Sequence, residues 1–174
     1  MRDMAGWYNH AIDELGWKDL NVLAFSMGGW LAAEMATMCT HAFKKLALVA
    51  PAGIKPPSGE ILDMFLLVAK EYIEAGVLDP SNTPEFPVVC PTDASPEQTE
   101  AWEIAREESC RLSWKPYMHY HGLPNLLARL RNLQTLIIWG KQDQVIPVSA
   151  SETYHDSIPG SELALIDNCG HRPE

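Results

Sequence analysis

Leu20-Asn21-Val22-Leu23-Ala24-Phe25-Ser26-Met27-Gly28-Gly29 is the stretch on which the reading of this chain turns. A short apolar run there meets a serine among small residues, and a helix-like stretch, Trp30 to Met38, follows. A strand that turns sharply into a helix holds the side chain at the turn clear of its own backbone, so Ser26 is expected to be presented for chemistry. Two other segments share this setting at the end of an apolar run. Trp139-Gly140-Lys141-Gln142-Asp143 closes the run Thr135 to Trp139, and Asn168-Cys169-Gly170-His171 follows the run Leu163 to Ile166. Parallel strands would gather Ser26, Asp143 and His171 along one sheet edge.

The three residue types suit nucleophilic catalysis. A serine hydroxyl is almost wholly protonated at neutral pH and needs a base within hydrogen-bond reach. His171 can take that proton and return it to a leaving group. A carboxylate at Asp143 would fix the imidazole tautomer and stabilise the imidazolium as it forms. Asp167, at the end of the last strand, is the competing acid.

This order of serine, acid and histidine, with the serine in a small-residue elbow, resembles the α/β-hydrolase superfamily. Ala24 stands where the family elbow usually has glycine, a difference of one methyl group. The resemblance implies an α/β fold of about four parallel strands with flanking helices and a helical cap insertion. On that reading residues 1–52 form the first part of the core, 53–124 the cap and 125–174 the second part of the core. It implies Ser26, Asp143 and His171 as the catalytic residues, with the Met27 backbone N–H as one oxyanion-hole donor. Phe25, Trp102, Trp114, Tyr117 and His119 would wall the substrate pocket. The activity implied is cofactor-free hydrolysis of a small apolar ester or related carbonyl compound through an acyl-enzyme. Hydrolysis of a carbon–carbon bond in ring-cleavage products, acyl transfer to an alcohol, and a noncatalytic binding module are the rivals. A serine nucleophile disfavours the aspartate chemistry of dehalogenases and epoxide hydrolases.

Only about twenty residues precede the elbow strand, whereas the family usually has about four strands there, one with an adjoining oxyanion-hole loop. The resemblance therefore implies a fragment of a longer hydrolase, or a short form completed by a partner chain. The elbow strand would then be an open sheet edge, inviting self-association.

Within the expected core, Met4 to Leu15 has helical spacing closed by Gly16, Lys45 to Ala50 reads as a second strand, Asn125 to Leu130 and Ser149 to Ser157 as helices, and Glu162 to Asp167 as the last strand. Val22 to Phe25 is expected to be a buried strand, and Gly28 and Gly29 to permit close packing at the elbow. Within the expected cap, Glu60 to Ala75 and Glu97 to Leu112 suggest amphipathic helices separated by a proline-rich stretch.

Composition narrows the classes further. Thirteen lysines and arginines against 23 acidic residues give a net charge of −10, which disfavours nucleic acid and anionic membranes as partners. No apolar run reaches the roughly 20 residues of a membrane span. Cys39, Cys90, Cys110 and Cys169 are scattered, suggesting neither a zinc site nor a disulfide framework, and a reduced cytoplasmic setting is expected. His119 and His121 form an HxH pair without further ligands nearby in sequence, so no metal is expected.

Overall fold

The computed structural model describes residues 1–173. Helix α1 (Arg2–Glu14) leads into β1 (Leu20–Phe25), α2 (Ser26–Met38) and β2 (Phe43–Val49). After a long helical segment containing α3 (Ala69–Ala75), α4 (Phe86–Val89) and α5 (Pro96–Ser113), the chain continues through α6 (Leu123–Leu127), β3 (Gln134–Gly140), α7 (Ser149–Ser157) and β4 (Glu162–Ile166). The four strands form one open parallel sheet in the order β1-β2-β3-β4, an α/β arrangement.

The helices that pack on this sheet form a single layer, with α1 on α2, α2 on β1 and β2, α6 between α2 and α7, and α7 on β3 and β4. Side chains alternate across a strand, so Leu46, Leu48, Ile137 and Trp139 are buried beneath that layer. The opposite face carries Leu23, Ala47 and Leu136 and lines an open groove of about 440 Å³. This corrects the expectation that β1 is buried throughout. Its burial alternates residue by residue, and Leu23 is 58% exposed, because helices cover only one side. Helix α2 is nearly apolar all round, with Trp30, Ala32, Ala33 and Ala36 buried, as its sequence suggested.

The one acid within that helix, Glu34, is fully buried and has two partners. Arg2 Nη1 donates to Oε2 at 2.6 Å and Trp30 Nε1 to Oε1 at 3.3 Å. Burial raises the Glu34 carboxyl above its ordinary range and the Arg2 guanidinium opposes that rise. The pair joins α1 to the centre of α2.

Between β2 and α6 the expected helix Glu60 to Ala75 is cut short. Only Ala69–Ala75 is α-helical, preceded by a single 3-10 turn at Met64–Leu66. Tertiary partners take the backbone groups that a longer helix would need. Leu62 N donates to Val145 O at 2.9 Å, and the Tyr117 hydroxyl accepts from Met64 N and donates to Leu62 O. The Asp63 side chain accepts from Phe65 N and closes the turn. Helix α5 runs close to expectation, with Ser95 accepting from Gln98 N and Pro96 in its first turn. The helix expected at Asn125 to Leu130 starts earlier, at Leu123, and tightens to 3-10 geometry from Ala128. Among the described residues no helix is long and apolar enough to cross a membrane.

Candidate active site

Ser26 lies at the junction of β1 and α2 with φ +48°. This is left-handed backbone, which costs an L-residue roughly 1–2 kcal/mol and persists only where the surroundings hold it. The Ser26 carbonyl accepts from Ala52 N at 3.0 Å, so the segment after β2 braces the turn. Gly29 is required there: a Cβ at this position would lie 2.8 Å from Pro51 Cβ. Gly28, expected to serve the same close packing, has open space around it instead. Helix α2 has no side-chain cap at its N-terminus. The first amides of a helix have no intrahelical partner and face whatever lies beyond its end. The N–H of Met27 is one of these.

The carboxyl ends of β3 and β4 meet through an unusually close contact. A Cβ on Gly140 would fall 2.0 Å from Gly170 O and 2.4 Å from Cys169 O. Only glycine lets the two loops approach this far. Gln142 then fastens them, its backbone N donating to Cys169 O and its side-chain Oε1 accepting from Cys169 N, both at 3.0 Å. On the other side of Asp143, Trp139 Nε1 donates to Ile146 O at 3.2 Å. The loops bearing Asp143 and His171 are thus held as one unit.

Within that unit Asp143 Oδ1 accepts from the backbone N–H of Val145 and of Ile146, each at 2.8 Å. Its Oδ2 is 2.8 Å from His171 Nδ1, and His171 Nε2 is 2.9 Å from Ser26 Oγ. The carboxylate can only accept, so His171 carries its proton on Nδ1 and Nε2 is left to accept from the serine hydroxyl. The Asp143 side chain is 0% exposed and His171 is 8% exposed, which strengthens the electrostatics along this line. Asp167 is elsewhere, 73% exposed and paired with Lys141 Nζ at 2.7 Å. Tertiary geometry brings Ser26, Asp143 and His171 together and leaves Asp167 out.

A cavity of about 140 Å³ opens beside this array, bordered by Ser26, Tyr72, Ile73, Gly76, Val145, His171 and Arg172. None of the five expected pocket residues borders it. Trp102 walls an adjoining groove of about 290 Å³ that shares Tyr72, Ile73 and Arg172 with the cavity. Phe25 precedes Ser26 and is 37% exposed. Trp114 packs edge-on against Phe65, ring centroids 4.4 Å apart, and helps line a separate surface depression. Tyr117 spends its hydroxyl on the Leu62 and Met64 backbone, and His119 Nδ1 lies 2.7 Å from Tyr117 O. The residues that border the cavity come mostly from α3 and the strand-end loops. Nothing in the local pattern of Tyr72 or Ile73 distinguishes a cavity wall from the buried face of an amphipathic helix.

Comparison with known proteins gives a consistent set of likenesses. The family described as "Serine aminopeptidase, S33" matches residues 1–173. The chain is 26% identical to 2-hydroxymuconate semialdehyde hydrolase of Pseudomonas putida, covering 96% of this chain and 62% of that protein. It is 27% identical to monoacylglycerol lipase abhd6-A of Xenopus laevis, covering 88% of this chain and 50% of that protein. Among solved structures, an esterase from Exiguobacterium antarcticum superposes with a TM-score of 0.68 at 26% identity, over 97% of this chain and 65% of the esterase. The chain spans between half and two thirds of the length of these three proteins.

Proposed function

Since the chain belongs to the serine aminopeptidase S33 family of α/β-hydrolases, we propose that Ser26, His171 and Asp143 are its nucleophile, base and orienting acid. They would hydrolyse an ester or related carbonyl compound through an acyl-enzyme. The carrying observation is the continuous hydrogen-bonded line from Asp143 through His171 to Ser26 Oγ. In this mechanism Ser26 Oγ attacks the carbonyl carbon as its proton passes to His171 Nε2, and the Asp143 carboxylate stabilises the resulting imidazolium. The oxyanion of the tetrahedral intermediate is met by the Met27 N–H at the positive end of α2. His171 then protonates the departing alkoxide, and a water activated by the same imidazole releases the acid.

Substrate size follows from the space available. The cavity beside Ser26 takes a reacting carbonyl and little more, while the adjoining groove at Trp102 offers apolar wall for one longer substituent. A small to medium apolar ester fits both, in keeping with the likeness to a lipase and an esterase. Cleavage of a carbon–carbon bond is the second reading, favoured by the likeness to 2-hydroxymuconate semialdehyde hydrolase. A reduced cytoplasmic setting belongs to the same proposal and is supported by the four free cysteines, and the acidic charge disfavours nucleic acid and anionic membranes as partners.

The test is covalent. Incubation with a fluorophosphonate followed by intact-mass and peptide-mass analysis is expected to give a single adduct, mapped to Ser26. A folded chain with no adduct would favour the noncatalytic module instead. Short aryl esters and a dienol ring-cleavage product, offered to the same preparation, separate the two hydrolytic readings.

Self-association through the free edge of β1 is part of the proposal as well. Its support is the exposure of Leu23 beside unpaired strand backbone. Sedimentation is expected to show concentration-dependent association that Leu23→Glu weakens; a wild-type chain that stays monomeric at every concentration would rule this out.

A further inference from the structure

At the far end of α2 from Ser26, a Cys39–His41 pair is met by a third metal-ligating side chain, Asp13, from another helix. Asp13 comes from the last turn of α1, Cys39 follows α2 directly, and His41 lies in the 3-10 turn before β2. Their ligand atoms all lie within 4.8 Å of one another. Thirteen residues of helix separate this cluster from Ser26, about 20 Å at 1.5 Å per residue, so it is no part of the hydrolase site. The scattered cysteines suggested no metal site in the sequence, because the third ligand arrives from a different helix.

We propose that Asp13, Cys39 and His41 bind one thiophilic divalent cation of the Zn²⁺ class, with water as the fourth ligand. Cys39 Sγ lies 3.5 Å from His41 Nε2 and 3.6 Å from Nδ1. A sulfur almost equidistant from the two ring nitrogens lies in line with neither lone pair, so the exposed imidazole turns to aim one nitrogen at the ion. Zn–S and Zn–N bonds of about 2.3 and 2.0 Å at a tetrahedral angle then put the two ligand atoms about 3.5 Å apart, a separation within reach. The same separation serves a bare thiol–imidazole contact, and the carboxylate is what turns the pair into a ligand set. One sulfur, one imidazole nitrogen and one carboxylate oxygen select zinc, cobalt or cadmium over magnesium or calcium.

The scaffold beneath the cluster is already tied. Met35 O accepts from the Asn9 side chain at 3.1 Å and from the Cys39 backbone N at 2.9 Å. One carbonyl thus links α1, which carries Asp13, to the turn that carries Cys39. Asp13 and His41 are exposed and Cys39 is half-buried, which leaves the ion a route in. On binding, the Cys39 thiol gives up its proton to solvent and the sulfur takes the metal. The bound ion would clip α1 to the end of α2, a structural role.

The deciding experiment is titration of the whole chain with Co²⁺, read by absorption, followed by displacement with Zn²⁺. A single equivalent is expected to give tetrahedral d–d bands with a thiolate charge-transfer band, and Zn²⁺ is expected to raise the thermal midpoint. Cys39→Ser should abolish the charge-transfer band and the thermal shift. His41→Ala and Asp13→Asn should each weaken binding at least about 10-fold. Absence of the band, or a band that survives Cys39→Ser and so arises from a different thiolate, overturns the assignment. Should Cys39→Ser fail to fold by circular dichroism, the exposed His41→Ala decides alone: undiminished affinity in that variant also overturns it.

Discussion

An Asp143→Asn variant is expected to lose roughly four orders of magnitude in turnover while keeping its fold. The local bonding dictates both halves of that result. Asp143 Oδ1 accepts from the Val145 and Ile146 amides, and the asparagine carbonyl oxygen can go on accepting both, so the loop keeps its shape. Its amide group then faces His171 Nδ1 as a donor where the carboxylate was an acceptor. The imidazole must answer by moving its proton to Nε2, the nitrogen that faces Ser26 Oγ. A protonated Nε2 cannot take the serine proton, and the attack loses its base. The measurement is the second-order rate of fluorophosphonate labelling, beside hydrolysis of a short aryl ester, with Ser26→Ala as the floor and thermal melting as the check on folding. Asp167→Asn, on the exposed acid paired with Lys141, should stay close to wild type. If both asparagine variants keep full rate, the proposed triad is wrong.

Gly140→Ala is the second large effect, and it acts without touching any reacting atom. The new methyl group would lie 2.0 Å from Gly170 O and 2.4 Å from Cys169 O, and both obstacles are backbone. The only relief is for the loop carrying His171 to move off β3. That motion breaks the double tie from Gln142 to Cys169 and draws His171 Nε2 away from Ser26. A misplacement of about 1 Å is enough to cost about 100-fold in rate, so turnover should fall at least that far, with a lowered thermal midpoint. Gly6→Ala provides the control, since a Cβ there meets nothing within 4 Å. It should be neutral or slightly stabilising, as expected for alanine replacing glycine inside a helix. A Gly140→Ala variant with wild-type turnover and melting would show that the loop contact has slack.

Much of this architecture is legible locally. Apolar runs ended by small or turn-forming residues mark β1 and β3, and Ser95 with Pro96 marks the start of α5. The strand-end setting singled out Ser26, Asp143 and His171, and those three side chains meet. The pocket was another matter. Trp102, Trp114 and Tyr117 attract notice because they are large, yet Trp114 sits on the surface and Tyr117 serves the backbone at Leu62 and Met64. The cavity is bordered instead by Tyr72, Ile73 and Val145, residues that look like ordinary core.

The interrupted helix before α3 shows the same division. Its apolar spacing is helical from Glu60, but Leu62 and Met64 give their backbone groups to Val145 and Tyr117. Helical periodicity carries no sign of partners more than fifty residues away.

The chain's own sequence determined where strands lie to within a residue or two, β2 beginning at Phe43 where Lys45 was expected, which helix is buried over most of its surface, and which serine stands at a strained turn. Those properties follow from side-chain period, turn chemistry and capping, all of which act over a few residues. Tertiary structure alone decided which nitrogen of His171 faces Ser26 and which face of the sheet the helices cover. It also decided that Asp13, Cys39 and His41 share one corner of the fold. Each of those outcomes depends on distances between atoms far apart along the chain, up to 145 residues for Ser26 and His171. Such distances exist only once the β-ends have been docked on one another, with Gly140 as the point of closest approach.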